Sequence, residues 1–356
     1  MSGQRAATDV RQAHAGTNRV LVGAGPVFDR EAREAVENAQ LAAGATRAGG
    51  AGQRSRAEDP DLWRTCFERD RDRILHSTAF RRLAGKTQVF IFPADHQRTR
   101  LTHALEVAQV ASAIARASRL NQPLVEAIAL GHDCGHGPGG HASEDALGVF
   151  VADFDHAVWG ADVTAAPLNL CAETLDGIRN HSWSRPSPLT PEGQVVSLAD
   201  RVAYCAHDLE DAVHAGIVRD DEVPAEVTER CGRTRSDQLD AFITDIVETI
   251  ARTGLVGLSD DMGDALAALR RFNHERIYLR AESIAQADSV IALLRALVEH
   301  YLSHPRDLPD ASSGGADPLQ QAVAYVDGMT DRFACAQAVA LLGWPASRLP
   351  RGQDVG

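Results

Sequence analysis

Residues Leu124–His141 read LVEAIALGHDCGHGPGGH, an apolar run that ends on a histidine, an aspartate and a glycine-rich turn. Leu124, Val125, Ile128 and Ala129 recur at helical spacing, and His132 falls one turn beyond Ile128 on the inward side. Four glycines and a proline within Cys134–His141 then forbid helix continuation. Upstream, Leu101–Arg116 (LTHALEVAQVASAIAR) carries His103, Val107, Val110 and Ile114 on one helix face. Downstream, Val195–Val213 (VVSLADRVAYCAHDLEDAV) places apolar residues at 195, 198, 202, 206, 209 and 213. Asp200, Tyr204, His207, Asp208 and Asp211 run along a neighbouring stripe of the same helix. From Asp61 onward the dominant period is helical and strand signals are few, so the fold class is all-α.

The chain has 356 residues, and 36 Lys and Arg against 49 Asp and Glu give a net charge of −13. That balance argues against coating nucleic acid by bulk charge, which rests on neutralising phosphates with Lys and Arg. A polyanionic ligand needs a local basic pocket. No stretch approaches the ~20 consecutive apolar residues of a membrane helix, and Met1–Val10 lacks the apolar centre of a secretory signal. Six cysteines without a CxxC pair point to a reducing, cytoplasmic setting rather than a disulfide framework or a cysteine zinc site. Residues 1–60 read as a partly disordered N-terminal extension, with a short helix near Phe28–Ala43 and a mobile linker at Gly44–Ala57 (GATRAGGAGQRSRA). Residues 61–302 read as the helical catalytic region, and 303–356 as a loop (Ser303–Pro318) followed by a helical tail.

A histidine on an apolar stripe is ordinarily a satisfied core residue, and for His103 alone that reading suffices. The pair His132-Asp133 is different. A carboxylate turned toward a core costs several kcal/mol unless a cation or strong donors accompany it. Two inward histidines, the adjacent Asp133 and the later Asp200, if they converge from three helices, make a nitrogen-and-oxygen site for a divalent transition ion or for Mg²⁺ or Mn²⁺. The glycine turn adds His136 and His141, with Glu144 one helical turn after His141, an arrangement that suits general acid–base work near neutral pH.

The pattern His103, His132-Asp133, Asp200 resembles that of the HD-domain metal-dependent phosphohydrolases. Phe80–Phe90 (FRRLAGKTQVF), Thr99–His103 (TRLTH), Gly131–Leu147 (GHDCGHGPGGHASEDAL), Leu198–Asp211 (LADRVAYCAHDLED) and Tyr325–Ala334 (YVDGMTDRFA) are similar to blocks of bacterial deoxyguanosine triphosphate triphosphohydrolase-like proteins, in the same order. The resemblance spans roughly 62–333 and puts the HD domain at about 98–208. It implies an all-helical fold and hydrolysis of deoxynucleoside triphosphates to deoxynucleoside and tripolyphosphate. It implies a divalent cation (Mn, Mg, Fe, Co, Ni or Zn) on His103, His132, Asp133 and Asp200. His141 with Glu144 would form the acid–base pair, with His136 beside the phosphates. Gln88 would meet the deoxyribose hydroxyl and Arg100 the α-phosphate, while Arg201, Tyr204 and Asp208 would line the nucleotide pocket. Arg270, His274 and Tyr278 would close the triphosphate and sugar side. The resemblance also implies a homo-oligomer and a second dNTP as a candidate allosteric activator.

One block departs. Phe154–Val163 (FDHAVWGADV) keeps His156 as a substrate contact but has Ala157, Trp159 and Asp162 where relatives carry Asn, Gln and Arg. Loss of a cation and two amides near phosphates would bear on specificity. Two other readings therefore stand beside the first. One is an HD phosphohydrolase acting on another nucleotide. The other is a non-catalytic nucleotide- or nucleic-acid-binding HD protein, which would draw on Arg47, Arg54 and Arg56.

Overall fold

A computed structural model describes residues 21–309 and 317–352. Among the described residues there is no β-strand, only the isolated bridges Arg54–Cys171 and Thr87–Thr99. The helices in chain order are α1 (Arg30–Gln40), α2 (Cys66–Leu75), α3 (Thr78–Arg82), α4 (Arg100–Ala117), α5 (Gln122–Gly131), α6 (Ala142–Leu147), α7 (His156–Trp159) and α8 (Ala172–Asn180). They continue with α9 (Pro191–His214), α10 (Ala225–Cys231), α11 (Arg235–Thr253), α12 (Asp260–Asn273), α13 (Ala281–Ser303), α14 (Pro318–Asp327) and α15 (Asp331–Leu342). None is long and apolar enough to cross a membrane.

Local chemistry sets where the central helices begin. Thr99 caps α4 by accepting from the Thr102 N–H, and Asn121 caps α5 by accepting from the Leu124 N–H at 3.1 Å. Pro191 occupies the first turn of α9 behind the cap Thr190, where its missing N–H is no loss. Val107, Val110 and Ile114 of α4 join Leu124, Val125 and Ile128 of α5 and Val195 and Val202 of α9 in one core, all fully buried. Each such side chain contributes about 1.5–3 kcal/mol by burial. The helix-propensity deficit of a Val or Ile is at most ~0.7 kcal/mol, so packing decides. Helices α2 and α8 flank α5, while α11 and α12 flank α9. A second core joins α6 to α13, α14 and α15 through Leu147, Val290, Leu294, Tyr301, Val323 and Val326.

The helix expected near 28–43 forms as α1. The Gly44–Ala57 tract is not a mobile linker. Ala45 and Ala48 are buried in the first core, and Thr46 binds Glu192 through its N–H (3.0 Å) and hydroxyl (2.6 Å). Arg54 is buried against Asp70 at 2.6 Å and also donates to the carbonyls of Cys66 and Asn169. The partners lie on α2, α8's approach and α9, far away in the chain, so composition alone suggests a loose segment where tertiary contacts make a strap. Residues 1–20 of the expected disordered extension lie outside the described residues. In the 303–318 loop, Pro305–Asp307 forms a 3-10 turn, and 310–316 likewise lie outside the described residues.

Candidate metal centre and its cleft

Three helices bring the histidine–aspartate set together. His103 stands in the first turn of α4, His132 caps the C-terminus of α5 with Asp133 next to it, and Asp200 lies inside α9. His103 Nε2 is 3.0 Å from Asp200 Oδ1. His132 Nε2 is 3.6 Å from both Asp200 Oδ1 and Asp133 Oδ1. The His132 Nδ1–H donates to the Ala129 carbonyl at 2.6 Å, so Nε2 is the nitrogen left to ligate a cation. That Nε2 is buried and has no hydrogen-bond partner.

These observations test whether a cation fits. Ligands about 2.1 Å from one ion are at most about 4.2 Å apart, and the separations above satisfy that limit. The orphaned nitrogen of His132 is the donor such an ion would need. The backbone carbonyl on Nδ1 is the outer partner that commonly orients a ligating histidine. Burial disfavours a charged His132, but Asp133 and Asp200 overcome it and push its pKa up to about 9 when no cation is present. Asp200 is kept low by His103 and His132 despite its burial. Asp133 is likewise held low, by Arg100, whose Nη1 is 2.6 Å from Oδ2, and by its histidine neighbours.

The glycine turn carries the second group. Gly139 and Gly140 adopt φ of 74° and 65°, which suits glycine, and Gly135 packs directly on the main chain of His156 and Gly160. His136 stacks on His156 with ring centroids 3.6 Å apart, and its Nε2 is 3.2 Å from Asp133 Oδ1. Glu144 takes its short hydrogen bond from His156 Nδ1, whereas His141 Nδ1 stands 3.6 Å from the same oxygen. The His141 side chain is 77% exposed at the cleft mouth. Burial alone would raise the Glu144 carboxyl, but His141 and His156 hold it well below the usual range.

The backbone of this turn is anchored from elsewhere. Lys86, buried, donates from Nζ to the carbonyls of His136 and Asp327. Asp331 accepts from the Gly139 N–H (2.9 Å) and the Thr87 hydroxyl (2.6 Å). The blocks around GKTQVF and GMTDRFA thus meet under the histidine loop.

His181, absent from the sequence reading, belongs to the site. It caps α8 as His132 caps α5, and its Nδ1–H likewise donates to the carbonyl three residues back, Ile178, at 2.8 Å. Its Nε2 lies 3.2 Å from His156 Nε2, and its ring packs on His132 with centroids 4.9 Å apart. Burial lowers its pKa to about 3. A histidine directly after a helical run, repeated from His132, was the available signal.

A cleft of about 1270 Å³ opens over these residues. Gln88, Arg100, His156, Arg201, Tyr204 and Asp208 line it together with Arg270, His274 and Tyr278. Gln88 presents a buried Oε1 without a hydrogen-bond partner. Tyr278 donates to Asp208, whose carboxyl is raised to about 7 by burial. Arg201 donates to the Tyr204 hydroxyl at 2.8 Å. Of the departing block, Asp155 and His156 line the cleft. Ala157 and Trp159 are buried, and Asp162 pairs with Arg179.

Helical layers carrying a His, His-Asp and Asp set beside a cleft lined by both arginines and carboxylates define an HD-domain protein, and the HD domain family model matches residues 100–205. The phosphohydrolase-associated domain model matches residues 256–339. The chain belongs to the deoxyguanosinetriphosphate triphosphohydrolase-like family of HD-domain phosphohydrolases. It is 42% identical over 299 residues to the deoxyguanosinetriphosphate triphosphohydrolase-like protein of Clostridium perfringens (strain 13 / Type A), covering 79% of this chain and 87% of that one. The protein of the same name from Caldanaerobacter subterraneus subsp. tengcongensis is 38% identical over 316 residues, covering 86% and 93%. A third, from Desulfatibacillum aliphaticivorans, is 39% identical over 310 residues, covering 79% and 88%.

Proposed function

We propose that the protein hydrolyses deoxynucleoside triphosphates, dGTP among them, to deoxynucleoside and tripolyphosphate. The observation that carries this reading is the convergence of His103, His132 and Asp200, with Asp133 3.6 Å from the same His132 nitrogen, beside a cleft with several arginines and large enough for a nucleotide. Those four residues would hold one divalent cation. Such a cation supplies Lewis-acid activation of water and of a phosphoryl oxygen.

The remaining steps fall to side chains. Arg100, Arg201 and Arg270 offset charge on the triphosphate, guanidinium being suited to paired phosphate oxygens. His156, fixed by Glu144 on one nitrogen and His181 on the other, stays oriented toward the phosphates with stacked His136. His141, exposed at the cleft mouth beside Glu144, would deliver a proton to the departing oxygen. Gln88 offers its unpaired oxygen to the sugar hydroxyl, and the Tyr278–Asp208 pair forms the wall on which the sugar rests. The relatives named above support a deoxynucleotide over other phosphate esters, and the name they share includes dGTP.

The test is to load the protein separately with Mn²⁺, Mg²⁺, Fe²⁺, Co²⁺, Ni²⁺ and Zn²⁺, supply each of the four dNTPs, and identify products by mass. Tripolyphosphate with deoxynucleoside is expected. Orthophosphate or pyrophosphate as the released product would refute the reading. Binding of dNTPs or single-stranded nucleic acid with no turnover under any metal would favour a non-catalytic role.

A further inference from the structure

We propose that a second, smaller cavity beside the cleft binds a polyphosphate chain beyond its third phosphate, with Arg185 as the outermost cation. The inference rests on the triphosphate reading above for the direction in which the chain runs. The cavity measures about 600 Å³ and lies between α9 and α12 under the loop 182–188. Trp183, Arg201 and Arg270 line both it and the cleft, so the two spaces share a wall.

The charge of this cavity is unlike that of the chain. Arg185, Arg201 and Arg270 line it and no Asp or Glu does, in a protein of net charge −13. Among the described residues none of the three forms an ion pair with a carboxylate, in contrast to the paired Arg54, Arg98 and Arg100. The Nε atoms of Arg185 and Arg201 are buried with no hydrogen-bond partner. A buried cationic donor without an acceptor is costly, and an anion entering the cavity would remove that cost.

The site is also held ready. The Trp183 indole N–H donates to the Ser197 carbonyl at 3.2 Å. The Arg201 guanidinium lies 4.4 Å from the Trp183 ring centroid and 5.2 Å from that of Tyr204. An arginine so sandwiched presents its remaining donors in a fixed fork, the geometry that pairs with phosphate oxygens. Cations on both sides of a shared wall suit an anion that crosses it, which a chain does and a single phosphate does not. The chain has two sources, a free linear polyphosphate or the tail of a nucleoside tetraphosphate seated in the cleft.

Calorimetric titration of the metal-loaded protein, with Mg²⁺ in excess over all phosphate chains, separates these outcomes. The probes are tripolyphosphate, tetrapolyphosphate, and the analogues of dGTP and of deoxyguanosine tetraphosphate in which a methylene replaces the 5′ oxygen, the atom whose bond to the α-phosphorus would break. Tetrapolyphosphate should bind about tenfold tighter than tripolyphosphate, the effect of one added charge-assisted contact. Arg185→Gln should abolish that preference and leave dGTP turnover unchanged. A matching preference between the two nucleotide analogues identifies the tail of a bound nucleotide, and its confinement to the inorganic chains identifies a free anion. Equal affinity for both lengths, or a length preference untouched by R185Q, overturns the proposal. A protein that fails to hydrolyse dGTP yet keeps an Arg185-dependent length preference refutes the hydrolase reading alone.

Discussion

His132 and His181 show how much one hydrogen bond decides at a site. Each gives its Nδ1–H to a carbonyl three residues earlier, so each turns its Nε2 inward. At His132 that nitrogen faces two aspartates and suits a cation, whereas at His181 it faces a third histidine and suits orientation. Their substitutions should therefore behave differently. Asp200→Ala should abolish turnover, leave the helical circular dichroism near wild type, and remove the rise in melting temperature that added Mn²⁺ produces by binding the folded state. Retained turnover at saturating metal would count against Asp200 as a ligand. His181→Leu should lower kcat about tenfold or more with KM and Mn²⁺ affinity little changed, because it removes an acceptor that positions His156 and no ligand. His181→Gln, which restores an acceptor, should recover part of the loss. If both variants lose metal equally, His181 belongs to the cation's own shell.

Between α5 and α6 the main chain, more than its side chains, makes the site. Gly135 has no room for a methyl group, because a Cβ there would collide with the His156 carbonyl and the Gly160 backbone. Neither is the end of a flexible side chain, so nothing yields cheaply. Gly135→Ala should cost several kcal/mol of stability or separate α7 from the loop, since overpacking alone costs about 1–3 kcal/mol and here it opposes backbone. Urea unfolding would measure it, and a variant within 0.5 kcal/mol of wild type, the ordinary range of surface changes, would show that the loop is looser than its packing implies. Gly254, by contrast, ends α11 in open space at φ 74°, and its cost on substitution is conformational alone. The same element logic explains Lys86. Its burial lowers its pKa, yet two backbone carbonyls accept hydrogen bonds from its Nζ and tie the histidine loop to the α14–α15 turn.

Across the whole molecule, buried acids couple stability to pH. Burial raises the carboxyls of Asp208 and Asp327 to about 7. Both bind a proton more tightly folded than unfolded, so their contribution is complete below about pH 4 and is lost as pH rises through about 7. In chelated protein the contribution of these two acids to the melting temperature should fall between about pH 4 and 7, and Asp327→Asn, which mimics the neutral acid, should flatten that fall. An equally steep profile in the variant would exclude Asp327 as a source. By itself the amino-acid sequence determined the all-α class, the buried faces of α4, α5 and α9, and the inward direction of His103 and His132, because helical periodicity is local and each apolar stripe states which side faces the core. Tertiary structure alone decided that the Gly44–Ala57 tract is a packed strap, that Ala157 and Trp159 are buried while Asp162 pairs with Arg179, that Glu144 bonds His156 while His141 stays exposed, and that His181 joins the site. Those outcomes depend on partners from a dozen to more than a hundred positions away, and no local period carries information about which surface a loop or helix end will meet.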